Sequence, residues 1–323
     1  MRILVTGGAG FIGSELVRQL LADGHAVTVL DALTYAGREE NLAEVAGVPG
    51  YAFVRADVRD PAAVDAVLPG HEAVLHLAAE SHVDRSIADP APFVTTNVLG
   101  TQVLLDAARR HRVGRFVQVS TDEVYGSIEH GAWREEQPLA PNSPYAAGKA
   151  AADLLVLAAH RTHGLDAVVT RCSNNYGPRQ HPEKLIPLFA TNLLRGLPVP
   201  LYGDGGAVRD WVHVADHCRG LRLALERGRA GEVYHLGGTA ELSNKELTGL
   251  LLEAFGAGWE SVRYVADRPG HDRRYALDGT KARRELGYVP EVPFADGLAA
   301  TLEWYRTHPE WWEPLKSGIA HGR

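Results

Sequence analysis

Two cysteines, Cys172 and Cys218, are the only thiols in 323 residues, which excludes a disulfide framework and fits thiols kept reduced. Long blocks of like charge are missing. Lys plus Arg number 33 against 40 Asp plus Glu, a net charge of -7 with histidine neutral, so neither a nucleic-acid groove nor a polybasic membrane patch is expected. Any small anionic ligand must be drawn by local charge. No apolar run reaches the length of a membrane span: even the stretch 247–259 is broken by Gly249, Glu253 and two further glycines. Met1-Arg2 leads straight into Ile3-Leu4-Val5, without the apolar core of a signal peptide or an Arg-rich transit segment. The expected location is the cytoplasm. Internal repeats and low-complexity tracts are absent as well.

What is present is an ample core, 45% apolar residues, in a length that suits one large or two moderate domains. Short β-branched runs recur at 3–6, 26–30, 51–55, 73–78, 115–120 and 167–171, with helix-like stretches between most of them. That alternation predicts an α/β fold, a doubly wound parallel sheet of Rossmann type. After Ser173 the pattern loosens around Pro178, Pro182, Pro187, Pro198 and Pro200, which predicts a second, smaller α+β lobe. The boundaries expected are 1–173 for the first unit and 174–323 for the second. The strand-like stretches 208–214 and 232–238 suggest that one or both segments near 208–240 return to the main sheet. The small polar tail 317–323 is expected to be mobile.

Polar and glycine-rich clusters follow the strand runs, at 7–13, Asp31, Asp57, 79–85, 121–126 and 173–179. In such sheets ligands bind beyond the carboxyl ends of the strands, so these clusters converge on one rim. Gly7, Gly10 and Gly13 open a helix after the first strand, where bare backbone can approach a pyrophosphate and the helix N-terminus supplies amide donors. Asp31, ending the second strand, can accept hydrogen bonds from an adenosine ribose diol while repelling a 2′-phosphate, which favours NAD over NADP. Asp57 either holds the adenine amino group or caps the following helix.

Ser120-Thr121-Asp122-Glu123-Val124-Tyr125-Gly126 places an acid pair at the end of an apolar run, and Tyr145-Ala146-Ala147-Gly148-Lys149 follows closely. A Lys four residues after a Tyr shares its helix face, and its charge favours the phenolate. Ser143 can cap that helix and Pro144 suits its first turn, although Ala146 leaves the capping box incomplete. Its continuation, 150–160, either buries against the sheet or also packs against another subunit. Adjacent side chains on a strand point oppositely, so both carboxyls reach one ligand only if the chain leaves strand geometry after Thr121. His213 and His217, with Asp216 between them, have the spacing of metal ligands but no third partner, and no metal is expected.

The three-glycine turn, Asp31 and the Tyr145 and Lys149 pair resemble the extended short-chain dehydrogenase/reductase superfamily. Four further stretches resemble the dTDP-glucose 4,6-dehydratase family: residues 77–86 (Leu77-Ala78-Ala79-Glu80-Ser81-His82-Val83-Asp84-Arg85-Ser86), 120–126, 173–178 (Ser173-Asn174-Asn175-Tyr176-Gly177-Pro178) and 268–275 (Arg268-Pro269-Gly270-His271-Asp272-Arg273-Arg274-Tyr275). The resemblance spans almost the whole chain. It implies NAD-dependent oxidation at C4 of the glucosyl ring, loss of water across C5 and C6, and reduction at C6. Tyr145 would be the base at the 4-hydroxyl, assisted by Lys149 and Thr121, with Glu123 removing the C5 proton and Asp122 protonating the leaving hydroxyl. It places the cofactor against Gly7, Gly10, Phe11, Ile12, Gly13, Asp31, Thr34, Asp57, Val58, Leu77, Ala78, Ala79, Ser81, Thr96, Tyr145, Lys149 and Asn175. The nucleotide sugar falls to Ser81, His82, Thr121, Asn174, Lys184, Leu185, Tyr202, Arg209, Asn244, Arg268, His271 and Tyr275, with Arg273 and Arg274 as further candidate cations. A homodimer is implied, through the Tyr145 helix and the helix 94–110. Gly148 departs from the Ser common in the family. The rival readings are a nucleotide-sugar 4-epimerase or decarboxylase on the same scaffold, neither of which needs the acid pair, and a non-catalytic NAD-sensing protein.

Overall fold

Burial on both faces decides the architecture. In the computed structural model, which describes residues 1–316, all four residues of Ala73–His76 and all six of Ala167–Cys172 are buried. Strands buried this uniformly need helices on both sides, as in a parallel doubly wound sheet. The tail 317–323, expected to be mobile, lies outside the described residues.

The chain forms β1 (Arg2–Thr6), β2 (Ala26–Asp31), β3 (Tyr51–Arg55), β4 (Ala73–His76), β5 (Arg115–Thr121) and β6 (Ala167–Cys172), the six runs legible in the sequence. Beyond them lie β7 (Asn174–Tyr176), β8 (Val199–Tyr202), β9 (Val208–His213), β10 (Val233–Leu236), β11 (Ala240–Ser243) and β12 (Val262–Val265). The main sheet has seven parallel strands in the order β10-β6-β5-β4-β1-β2-β3. Its order reverses at β1 and β4, which opens a crevice at their carboxyl ends.

Leu16, Val17 and Leu20 of helix Phe11–Ala22 pack with Cys218, Leu221 and Ala224 of helix Val214–Arg227 on one face of the sheet. Helices Gly100–Arg110 and Pro144–His163 cover the other, through Leu104, Ala107 and Val156.

Of the two later stretches that read as strands, only β10 returns to the main sheet, pairing with the edge of β6. Helix Val214–Arg227 carries the chain back over the sheet so that this pairing is parallel. β9 instead runs between β11 and β7 in a separate three-stranded sheet. A pair formed by β8 and β12 lies beside it, and Ile186, Phe189, Trp211, Leu247 and Leu302 fill a core of their own there.

Two local features shape the site. Ser143 Oγ accepts from Ala146 N at 3.1 Å and Pro144 occupies the first turn, so the helix Pro144–His163 starts where the sequence indicates. The helix expected over 94–110 begins instead as a π-helical stretch, Val94–Leu99, before Gly100–Arg110. Wider turns of this kind re-aim side chains near functional sites. Asn97 in that stretch both accepts from Glu80 N at 2.9 Å and donates to Glu80 O at 3.0 Å.

Candidate active site

Strand β5 stops at Thr121 and the chain turns through a 3₁₀ stretch, Asp122–Tyr125. This departure from strand geometry brings both carboxyls to one cavity, lined by Thr121, Asp122, Glu123, Tyr145 and Lys149 together. Thr121 Oγ1 pins the turn: it accepts from Glu123 N at 3.3 Å and donates to Asp122 Oδ1 at 3.2 Å.

Burial governs the protonation of this group. Asp122, 1% exposed, has its pKa raised well above the ordinary value, first by loss of water and then by the neighbouring charges of Glu123 and Asp210. Its Oδ2 has no hydrogen-bond partner among the described residues. Glu123 is also raised by burial, but Lys184, Arg209 and Arg268 pull it back toward ionisation. Two adjacent carboxyls are thereby set apart, one held neutral and one tended by cations.

The Tyr145 and Lys149 pair departs from expectation. Burial, then Glu123, Cys172 and Asp122, raise the Tyr145 pKa well above 10.0, opposed by a hydrogen bond with Thr121. The Lys149 ammonium is not among the main influences on Tyr145; its Nζ donates at 2.5 Å to the carbonyl of Val119. Burial lowers the Lys149 pKa while Asp153 and Cys172 push it up. Phenolate at Tyr145 therefore needs another positive charge.

Every residue assigned to the cofactor by resemblance lines a cavity of about 460 Å³ over the crevice. At Gly7, with φ of 71°, an added Cβ would sit 2.6 Å from Ala78 N; at Gly13 it would sit 2.2 Å from Gly7 O. Larger residues would close the turn that lets a pyrophosphate meet backbone. Asp31 Oδ2 accepts from Ala9 N at 3.0 Å and Oδ1 from Leu33 N at 2.8 Å, and each oxygen keeps a further lone pair. Asp57 lines the cavity, held by Arg59 at 2.6 Å. It does not cap the next helix; Asp60 does, accepting from Ala62 N and Ala63 N.

A second cavity of about 200 Å³ meets the first at Glu123, Asn174 and Lys184, and takes in His82, Leu185, Tyr202, Arg209, Asn244, Arg268, His271 and Tyr275. Ser81 and Thr121 lie on the cofactor side of that junction. Arg268 reaches Asp84 at 3.3 Å and stacks over Tyr202 at 4.9 Å. Arg209 stacks over Tyr275 at 4.3 Å. His82 is driven down to about 3 by burial and by Lys184 and Arg85, so its ring is neutral. Arg273 and Arg274, offered as further cations, are engaged elsewhere, by Asp204 at 2.9 Å and Glu241 at 2.8 Å. His213 caps helix Val214–Arg227, and the His217 ring meets Asn175 Oδ1 at 2.8 Å.

Several lining residues escaped sequence reasoning. Gln180, His181 and Glu183 edge the first cavity; they directly follow the cluster 173–179, which was the available signal. Arg38 and Trp311 also line it, and Trp311, from the far end of the chain, sits in no motif.

The family model for GDP-mannose 4,6 dehydratase matches residues 4–301. A dTDP-glucose 4,6-dehydratase of Streptomyces niveus is 64% identical over 98% of this chain and 96% of its own length. The chain belongs to the dTDP-glucose 4,6-dehydratase family. The crystal structure of DesIV, a dTDP-glucose 4,6-dehydratase from Streptomyces venezuelae with NAD bound, superimposes with a TM-score of 0.96 at 62% identity, covering 98% of this chain and 100% of that one. A Thermus thermophilus UDP-glucose 4-epimerase in complex with NAD reaches 0.88 at 37% identity, over 95% and 99%. The scaffold is thus common to dehydratases and epimerases.

Proposed function

We propose that the chain is an NAD-dependent dTDP-glucose 4,6-dehydratase, converting dTDP-glucose to dTDP-4-keto-6-deoxyglucose. One observation carries this reading: a fully buried Asp122 whose carboxyl is pushed well above its ordinary range, adjoining a Glu123 that burial raises and three cations pull back, in the cavity that also holds Tyr145.

The glycine turn, Asp31 and the crevice at β1 and β4 suit a dinucleotide. Bound there, NAD supplies a positive ring that favours the Tyr145 phenolate, a hydride acceptor for sugar C4 and the donor that later reduces C6. Tyr145 Oη takes the proton of the 4-hydroxyl, with the Thr121 hydroxyl holding the same oxygen. The C4 ketone acidifies the C5 proton, which a Glu123 carboxylate oxygen removes. Asp122 protonates the 6-hydroxyl, and Oδ2, buried without a partner, is the oxygen suited to donate. The C6–O bond breaks, water leaves and C5=C6 forms; reduction at C6 and return of a proton to C5 complete the product. Lys184, Arg209 and Arg268 supply positive charge for the diphosphate.

Residues 1–173, with helix Val214–Arg227, β10 and the helix Thr280–Leu286 that packs on them, form the cofactor unit, and the rest of 174–316 the sugar-nucleotide lobe. The chain acts as a homodimer in the cytoplasm. In support of the dimer, Val94, Leu99 and Leu154 are 53%, 52% and 57% exposed on the two helices named for it. Two free, buried cysteines agree with a reducing compartment.

Incubation with dTDP-glucose tests the reaction. Product lighter by one water supports the dehydratase; conversion at unchanged mass would mean an epimerase, carbon dioxide from a nucleotide glucuronate instead a decarboxylase, and no change in either sugar a sensor.

A further inference from the structure

The last described helix, Pro309–Lys316, is fixed to both halves of the molecule. Trp312 Nε1 donates to Tyr305 O at 2.7 Å and Lys316 Nζ to Asn192 Oδ1 at 2.5 Å, and both side chains are buried. These bonds seat the helix on the second lobe. Trp311, on its other side, crosses to the first. Its Nε1 donates to Asn41 Oδ1 at 2.9 Å, and Asn41 Nδ2 donates to Ala9 O at 2.9 Å, inside the glycine turn. Arg38 repeats the link: its backbone N donates to Ala9 O at 3.0 Å and its guanidinium to Trp311 O at 2.8 Å.

Ala9 N in turn donates to Asp31. An indole 270 positions beyond Asn41 in sequence is therefore joined through three successive hydrogen bonds to the carboxylate expected at the adenosine ribose. Trp311 and Arg38 line the same cavity as Gly10 and Asp31. The Arg38 guanidinium also lies 5.4 Å over the indole ring. Nothing in the fold of the sheet requires this; the glycine turn and crevice are complete without a helix from the far end of the chain.

We infer that helix Pro309–Lys316 is an outer wall of the cofactor site, and that Trp311 and Arg38 retain a bound dinucleotide. A cofactor that is restored within every turnover has no need to leave, so slow release costs the reaction nothing. Departure from the crevice requires the Trp311–Asn41 and Arg38–Trp311 bonds to open, which separates the two lobes at this point. The inference rests on the NAD-dependent reading above.

The test is the release rate of labelled NAD from the loaded protein, chased with excess unlabelled NAD. Trp311→Ala should release it about ten-fold faster, the effect of losing one hydrogen bond and its packing. Trp311→Phe keeps the ring contact but removes the N–H donor to Asn41, and should release several-fold faster, though less so than Trp311→Ala. Trp259→Ala, which alters an exposed tryptophan elsewhere, should leave the rate as it was. Wild-type release rates in both Trp311 variants overturn the inference. A wild-type protein that retains no NAD overturns the reading beneath it instead.

Discussion

Asp122 and Glu123 differ by one methylene and adjoin in sequence, yet their surroundings act on them differently, and the proposed reaction gives them opposite duties. Glu123→Gln keeps shape and removes the base. It should lower kcat by about 10²- to 10⁴-fold and abolish incorporation of solvent deuterium at C5, while oxidation at C4 persists as reduced-nicotinamide absorbance on mixing. Unchanged turnover would remove Glu123 from the reaction. Asp122→Asn makes a different demand, because the folded-state pKa of Asp122 lies above its ordinary value of 3.8. Below that value the carboxyl is neutral in folded and unfolded chains alike. As pH rises from there toward the folded pKa, the unfolded chain ionises freely and the folded one does not, so stability is lost. Asn stays neutral throughout. The variant should melt roughly 2 °C or more above wild type near pH 7, converge with it near about pH 3, and turn over more slowly at both. Equal melting temperatures at neutral pH would contradict the buried, protonated carboxyl. The pairing of Asp122 with Glu123 was legible in the sequence, but the direction of Lys149 was not: a helix spacing of four puts it on the face of Tyr145 without saying that the Val119 carbonyl captures its ammonium.

Among the elements, the strands β1 to β6 and the cap of helix Pro144–His163 followed from local signals, apolar β-branched runs and a Ser-Pro start, that act over a few residues. What local signals could not reveal depends on partners far away. β9 and β10 read alike as strands, and only the free edge of β6 distinguishes the one that joins the main sheet. The π-helical start of the 94–110 helix likewise reflects the bonds of Asn97 to Glu80 rather than any propensity. Gly148 illustrates the same limit. The sequence shows only that it departs from the family Ser; in the fold an added Cβ would lie 3.5 Å from Phe93 O and 3.7 Å from Asn97 Cβ, ordinary contact distances. Gly148→Ala should therefore stabilise the helix by roughly 0.5 to 1 kcal/mol, read from the denaturation midpoint, with kcat within two-fold or so of wild type. A destabilised variant would show that the glycine is sterically required after all.

At the scale of the whole molecule, the site is assembled from strand ends of one lobe and the cations of another, which is why motifs scattered from Gly7 to Tyr275 were readable as a set while Trp311 was not. The motifs carry chemistry in their residue types; the tryptophan acts only through where the chain folds back. The exposed Val94, Leu99 and Leu154 belong to this scale too. Leu154→Glu should shift sedimentation from dimer to monomer, since burying an unpaired carboxylate in an apolar contact is costly. A dimer that persists unchanged would place the subunit contact on another face. The most direct trial of the central claim uses dTDP-glucose carrying deuterium at sugar C4 and carbon-13 in its ring carbons, mixed with unlabelled substrate. The account predicts that the label reaches the C6 methyl of the molecule that started with it. Label lost to water, or found on molecules that began without it, would contradict the claim.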